Sequence, residues 1–199
     1  EIRRAVIERT EGLQLLGIYD NDPAVKARLP QHRHFDSLDA ALDAGPDIVF
    51  VCTPNVHSPG ICIKSLDHGI HVFCEKPPGR NVGDILRIRE AENKNLKLMF
   101  GFNHRWHPGI IKAKVITDSG RLGRVINMRG LYGKSGGVKF KQSWRNDKAI
   151  SGGGILLDQG IHMLDLFRFF AGEFTEVKSF VGQTFWKAGE LEDNAFALL

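Results

Sequence analysis

Ile70-His71-Val72-Phe73-Cys74-Glu75-Lys76-Pro77 decides the fold of this chain. The apolar run Ile70–Cys74 reads as a buried strand. It ends at once in a carboxylate, an amine and a rigid turn carrying Pro77 and Pro78. Upstream, Asp47-Ile48-Val49-Phe50-Val51-Cys52 is the clearest buried strand, and Ser58 to His68 reads as a helix stopped by Gly69. Downstream, Asn81 to Asn93 carries Val82, Ile85, Leu86 and Ile88 at helical spacing, and Leu96 to Phe102 reads as a further strand. Nearer the start, Leu15-Leu16-Gly17-Ile18-Tyr19 is a short apolar strand ending at Asp20. Asp22-Pro23 opens a helix, and Ser37 to Ala44 is a helix with an incomplete capping box. Near-continuous apolar strands separated by helices predict a parallel sheet covered on both faces. Such sheets bind ligands beyond the carboxyl ends of their strands. Asp20, Thr53-Pro54-Asn55, Glu75-Lys76-Pro77 and Asn103-His104-Arg105 all follow strand ends.

The second half reads differently. Pro108 to Ser119 is a helix closed by Gly120, and Arg124 to Tyr132 is a strand candidate followed by a glycine- and lysine-rich loop. Ile155 to Phe170 is a strong amphipathic helix. Phe174 to Phe185 and Glu192 to Leu199 are strand-like. Strands with few intervening helices predict an α+β domain with an open, largely antiparallel sheet. The boundary falls near Phe102, giving domains 1–102 and 103–199. Residues 1–9 read as the tail of a helix without a start signal, and the last residues as a strand with no partner following, so a fragment of a longer protein is expected.

The net charge of +4 is mild and spread along the chain. Gly133 to Lys148 is locally basic, but a solvated loop explains it, so no nucleic-acid partner is expected. The apolar runs are too short to span a bilayer, and no membrane partner is expected. No charged-then-apolar run precedes a cleavage site, so secretion is not expected. Cys52, Cys62 and Cys74 form no Cys-x-x-Cys pair, which fits a reducing, cytoplasmic setting. His32-x-His34 and His104-x-x-His107 lack a completing cysteine or carboxylate cluster, so no metal site is expected.

Four clusters carry chemistry. In a dinucleotide-binding fold, Asp20 would accept hydrogen bonds from the adenosine ribose and repel a 2′-phosphate, favouring NAD over NADP. A turn or cap aspartate explains Asp20 equally well. The usual Gly-x-Gly-x-x-Gly is absent. Thr53, Pro54, Asn55 and His57 suit a polar ligand over the sheet edge, though a plain strand-to-helix turn explains much of that stretch. Lys76, held in its turn, would steady negative charge on an alcohol oxygen; a surface lysine paired with a carboxylate is the blander reading. Asp158 and His162 stand at i, i+4, which on a helix puts them on one face. A carboxylate beside an imidazole fixes its tautomer, supports its protonated form and suits acid–base work near neutral pH. A helix-start aspartate plus a buried histidine is the commoner explanation of that spacing.

Together these residues resemble the Gfo/Idh/MocA family of NAD(P)-dependent oxidoreductases. The resemblance is carried by Val51-Cys52-Thr53-Pro54-Asn55-Val56-His57, Cys74-Glu75-Lys76-Pro77, Gly101-Phe102-Asn103-His104-Arg105-Trp106-His107-Pro108 and Gly152-Gly153-Gly154-Ile155-Leu156-Leu157-Asp158-Gln159-Gly160-Ile161-His162. It implies a Rossmann-type domain followed by an α+β domain whose large open sheet often mediates oligomer contacts, so a homo-oligomer is expected. It implies Lys76, Asp158 and His162 as the catalytic group. Thr53, Pro54, Asn55, His57, Glu75, Lys76 and Pro77 would line a NAD cleft, with Trp144 and Arg145 toward the nicotinamide and Asn103 and Arg105 near the cofactor–substrate junction. Where relatives often carry Asn-Arg-Arg, this chain has His104. The implied activity is reversible hydride transfer between a nicotinamide cofactor and a sugar, polyol or nucleotide sugar. Redox-neutral relatives that use bound NAD transiently, and non-catalytic sensors on the same scaffold, are the alternatives.

Overall fold

Three short strands remove apolar side chains from water along with their backbone, and they build the centre of the molecule. The structure, a computed structural model, describes residues 2–134, 143–185 and 190–199. Strands β1 (Ile48–Val51), β2 (His71–Cys74) and β3 (Leu98–Phe100) form a parallel sheet in the order β1-β2-β3. The register sets Val51, Cys74 and Phe100 side by side at its carboxyl edge. Helices α4 (Ser58–Asp67) and α5 (Val82–Glu90) are the crossovers between these strands. Val51, Cys62, Leu66, Val72, Cys74 and Ile88 pack as one buried cluster, with Val49, Ile85 and Phe100 against it. Each such aliphatic side chain, fully buried, contributes about 1.5–3 kcal/mol. Cys62 and Cys74 serve as small hydrophobes here. Cys62's thiol, then burial, keeps Cys74 protonated.

Local chemistry sets the helix ends. Helices α1 (Ile2–Arg9), α2 (Pro23–Arg28) and α3 (Leu38–Asp43) precede the sheet. Asp22 caps α2 by accepting the Ala24 amide, Ser37 caps α3 through the Ala40 amide, and Asn81 caps α5 through the Asp84 amide. Each such cap stabilises by about 1 kcal/mol. Gly69 ends the α4 turn at φ 74°, a backbone conformation that favours glycine.

Two expected elements change. The stretch 15–19 does not become a paired strand; only Ile18 bridges, in parallel, to His34. Gly17 has no side chain to pack and lies under the Phe35 ring, so the segment has little with which to hold a ladder. Residues 124–132 form no strand. Ile126 and Leu131 are 87% and 97% exposed, and no described strand pairs with them.

Past the sheet come a 3₁₀ turn at Asn103–Trp106, α6 (Pro108–Asp118), a second 3₁₀ turn at Trp144–Asn146 and α7 (Lys148–Ser151). The expected single helix over 155–170 is two pieces, a π turn at Leu156–Gly160 running into α8 (Ile161–Ala171). The antiparallel sheet consists, among the described residues, of β4 (Lys178–Gly182) and β5 (Asn194–Leu198), with Phe180 opposite Phe196.

Candidate active site

The site forms where two backbones approach more closely than any side chain would permit. Gly152 adopts φ +83°, and a Cβ there would lie 2.5 Å from the Arg80 carbonyl oxygen. A Cβ on Gly154 would lie 2.0 Å from the Glu192 carbonyl oxygen. The glycine triplet is therefore a spacer of minimal thickness between the turn after β2 and the approach to β5. Glu192 completes the junction: its carboxylate accepts the amides of Gly154 and Leu156, at 2.9 and 3.1 Å, and so caps the π turn. On the other side, the buried Asn55 amide donates to the Ser151 carbonyl at 2.7 Å, and the Val56 amide donates to the Ile150 carbonyl.

This docking carries Asp158 onto Lys76. The Lys76-Pro77 bond is cis, and Pro77 and Pro78 are buried beneath the turn. Lys76 Nζ donates to the Asp158 carbonyl oxygen and lies 3.4 Å from Oδ1 of the same residue. Asp158 stands on the π turn, a distortion that recurs at functional sites. Its carboxylate also accepts Gln159 Nε2 at 2.7 Å and faces Lys134 at 3.5 Å and Arg145 at 3.6 Å. One carboxylate thus serves three cations. Burial raises the Asp158 pKa, but Gln159, Lys76, Lys134 and Arg145 together outweigh it and hold the carboxyl below its ordinary range. The Lys76 pKa is also lowered: desolvation disfavours its charge, and Asp158 offsets only part of that.

His162, one turn further along, is 4% exposed. It was expected to be oriented by Asp158, yet among the described residues its Nδ1 has no hydrogen-bond partner. Asp158 is engaged elsewhere and reaches His162 only through its field. The expected support for the protonated ring is also reversed. Desolvation first, then His104 and Lys76, lower the His162 pKa to about 4, against smaller opposing effects from Asp165 and Asp158. The imidazole is therefore neutral near pH 7, the form that can accept a proton.

The remaining sequence candidates fall into three groups. Trp144 and Arg145 lie beside the lysine–aspartate pair: the guanidinium stacks over the Trp144 ring at 4.3 Å and faces Asp158. Asn103 is on the 3₁₀ turn at the β3 exit, where its Oδ1 meets His104 Nδ1 at 3.2 Å. Arg105 is committed to Asp165 through a bidentate pair at 2.8 and 2.5 Å, which ties that turn to α8 three residues beyond His162.

Among the strand-end residues, Thr53 Oγ1 shares a hydrogen bond with Ser58 Oγ at 3.2 Å, Pro54 is half-buried and His57 is exposed ahead of α4. Glu75 pairs with Arg3 of α1 rather than with Lys76. Asp20 is exposed, with Oδ1 accepting the Asp22 amide at 2.9 Å, beside a cavity of ≈ 190 Å³ lined by Pro23, His34 and Phe35. His32 and His34 face Arg4 and the Leu29 carbonyl respectively. Among the described residues no group of three His, Cys, Asp or Glu could hold a metal ion.

Four participants escaped the sequence reading. Tyr132, Lys134, Asp165 and Glu192 enter the site from segments with no local motif. Asp165 alone had a signal, its i, i+3 spacing from His162 on one helix.

The parallel sheet, its polar strand-end loops and a half-buried lysine–aspartate pair define the class, a Rossmann-type dinucleotide-binding α/β protein. Residues 2–102 match the oxidoreductase family with NAD-binding Rossmann fold, and residues 110–199 match the GFO/IDH/MocA C-terminal domain. The chain belongs to the Gfo/Idh/MocA oxidoreductases. It is 35% identical over 139 residues to levoglucosan dehydrogenase of Pseudarthrobacter phenanthrenivorans, covering 67% of this chain and 36% of that protein. It is 32% identical over 149 residues to D-glucoside 3-dehydrogenase of Escherichia coli, covering 74% of this chain and 42% of that protein. A solved levoglucosan dehydrogenase in complex with NADH and levoglucosan superposes with a TM-score of 0.82 at 27% identity, covering 90% of this chain and 52% of that one. The chain thus spans less than half the length of these curated relatives.

The strand-end loops supply both hydrogen-bond donors and acceptors, a chemistry that fits a dinucleotide. Hydroxyl, carboxylate and amide groups of Thr53, Glu75 and Asn103 all follow the carboxyl edge of the sheet. A Cβ on Gly101 would lie 2.7 Å from Glu75 Oε2, so glycine here keeps the two loops in close contact. No described helix is long and apolar enough to cross a membrane.

Proposed function

We propose that this chain forms the catalytic cleft of a NAD-dependent dehydrogenase that oxidises a secondary alcohol of a sugar, polyol or nucleotide sugar. The observation that carries this reading is the meeting of Lys76 with Asp158 beside a neutral, buried His162. Thr53, Pro54, Asn55, His57, Glu75, Pro77, Asn103, Trp144 and Arg145 are assigned to the cofactor, with Asp20 at the adenosine ribose. When bound, nicotinamide supplies the hydride acceptor.

The chain's own groups handle the oxygen and its proton. Neutral His162 accepts the hydroxyl proton as the C–H electron pair leaves as hydride and the carbonyl forms. Lys76 donates a hydrogen bond to that oxygen and stabilises the charge developing on it. Asp158 offsets part of the desolvation of Lys76 and aims its ammonium. Arg105 acts on the substrate side through Asp165, holding α8 and hence His162 in register with the 3₁₀ turn. The names of the relatives support a sugar-like substrate, and the exposed β4–β5 sheet suits contact with a second copy.

The test is a substrate panel on the purified full-length protein, read by absorbance of reduced cofactor. It covers anhydrosugars, glucosides, inositols and nucleotide sugars. NADH formation with at least one of these classes is expected. Conversion of a sugar without net NADH would favour the redox-neutral alternative. Sugar binding with no conversion of any member would favour the sensor.

A further inference from the structure

The cleft holds a second imidazole that the reaction above does not use. His104, on the 3₁₀ turn at the β3 exit, lies against His162 with ring centroids 3.9 Å apart and planes inclined by 35°. Tyr132 completes the stack at 6.1 Å from the His162 ring and 20° from parallel, and its hydroxyl meets His104 Nε2 at 3.3 Å. On its other edge, His104 Nδ1 meets Asn103 Oδ1. Phe102 closes the far side edge-on, 6.2 Å from His162. Both nitrogens of His104 are therefore held, while its flat face rests on a ring whose own Nδ1 is unpartnered.

We propose that His104, clamped by Tyr132 and Asn103, is a positioning residue for His162, its ring fixing the orientation of the His162 imidazole. This rests on the reading of His162 as the base. A hydrogen-bonded carboxylate is the common way to orient a catalytic histidine, but Asp158 is occupied by Lys76, Gln159, Lys134 and Arg145. Aromatic contact does the orienting instead. Rings at this separation attract through dispersion and quadrupole terms, but two protonated rings would repel. The titratable groups around His162 are Lys76 from the turn after β2, Asp158 from the π turn, Asp165 from α8 and His104 itself. After desolvation, His104 and then Lys76 lower the His162 pKa.

The experiment is a histidine NMR titration of the full-length protein, comparing wild type with His104→Phe and His104→Asn. His104→Phe keeps the stacked ring and removes the titratable imidazole; His104→Asn removes both and covers the case in which the phenylalanine variant fails to fold. The midpoint of His162 should rise by about one pH unit in either variant, the size expected for a charge at this range. An unmoved midpoint would overturn the proposal. The titration needs neither substrate nor cofactor, so it stands even if the substrate panel fails. In the active full-length enzyme, the acid limb of kcat against pH should move up with the midpoint. A kcat lowered equally at every pH would mean that His104 acts only as structural packing, and would also overturn the proposal.

Discussion

The neutral state of His162 ties stability to pH in a way that can be worked through and measured. The unfolded ring takes up its proton around pH 6.5, whereas the folded ring, desolvated and facing His104 and Lys76, does so only at about 4. Between these values the unfolded chain holds more protons, so stability falls as pH falls from 6.5 toward 4 and is fully present above 6.5. At pH 5 the ratio of the two binding terms is about 30, which corresponds to a loss of about 2 kcal/mol relative to high pH. A folded midpoint one unit higher would still leave about 1.6 kcal/mol. The perturbation is His162→Gln, which removes the titrating group but keeps a polar side chain. The assay is urea unfolding of wild type and variant at pH 7 and pH 5. Wild type should lose about 2 kcal/mol more than the variant on acidification, because all other titrating groups cancel in the difference. Equal losses would refute the reasoning, since they would mean that burial does not suppress the charge on His162. The catalytic corollary is that a deprotonated base is available well below neutrality, so the acid limb of turnover should lie nearer pH 4 than 6.5.

Three further outcomes are expected. Lys76→Ala should lower kcat on the order of 10²–10³-fold with NAD binding still measurable, as for loss of one preorganised donor to a developing oxyanion; unchanged turnover in steady-state assays would remove Lys76 from the mechanism. Gly154→Ala forces a methyl group into the Glu192 backbone and should destabilise by at least the 1–3 kcal/mol typical of overpacking, read as a lower denaturant midpoint; a neutral effect would contradict the close approach. Asp20→Ala should relax preference for NAD over NADP in kcat/KM comparisons, because the carboxylate that repels a 2′-phosphate is gone; an unshifted ratio would reassign Asp20 to the turn it caps.

Sequence alone determined the parallel sheet. The runs at 47–52, 70–74 and 96–102 are apolar without alternation, and only strands covered on both faces tolerate that. It also marked the polar loops at the strand exits as candidates, although several of those residues have structural partners, Asn55 with Ser151 and Glu75 with Arg3. Helix starts at Asp22, Ser37 and Asn81 were legible because a cap is a local hydrogen bond. Pairing was a different matter. Residues 15–19 and 124–132 have strand-like composition, yet a ladder needs a partner that composition does not name.

The site followed the same division. Lys76, Asp158 and His162 were legible as chemical types, but their arrangement was decided by tertiary contact. Spacing suggested that Asp158 would hold His162; packing instead gave Asp158 to Lys76, Lys134 and Arg145 and left His162 to His104 and Tyr132. The reason is physical. Periodicity reports which residues share a face of one element, whereas burial and charge partners come from segments brought together across the fold, here through glycines thin enough to let two backbones touch.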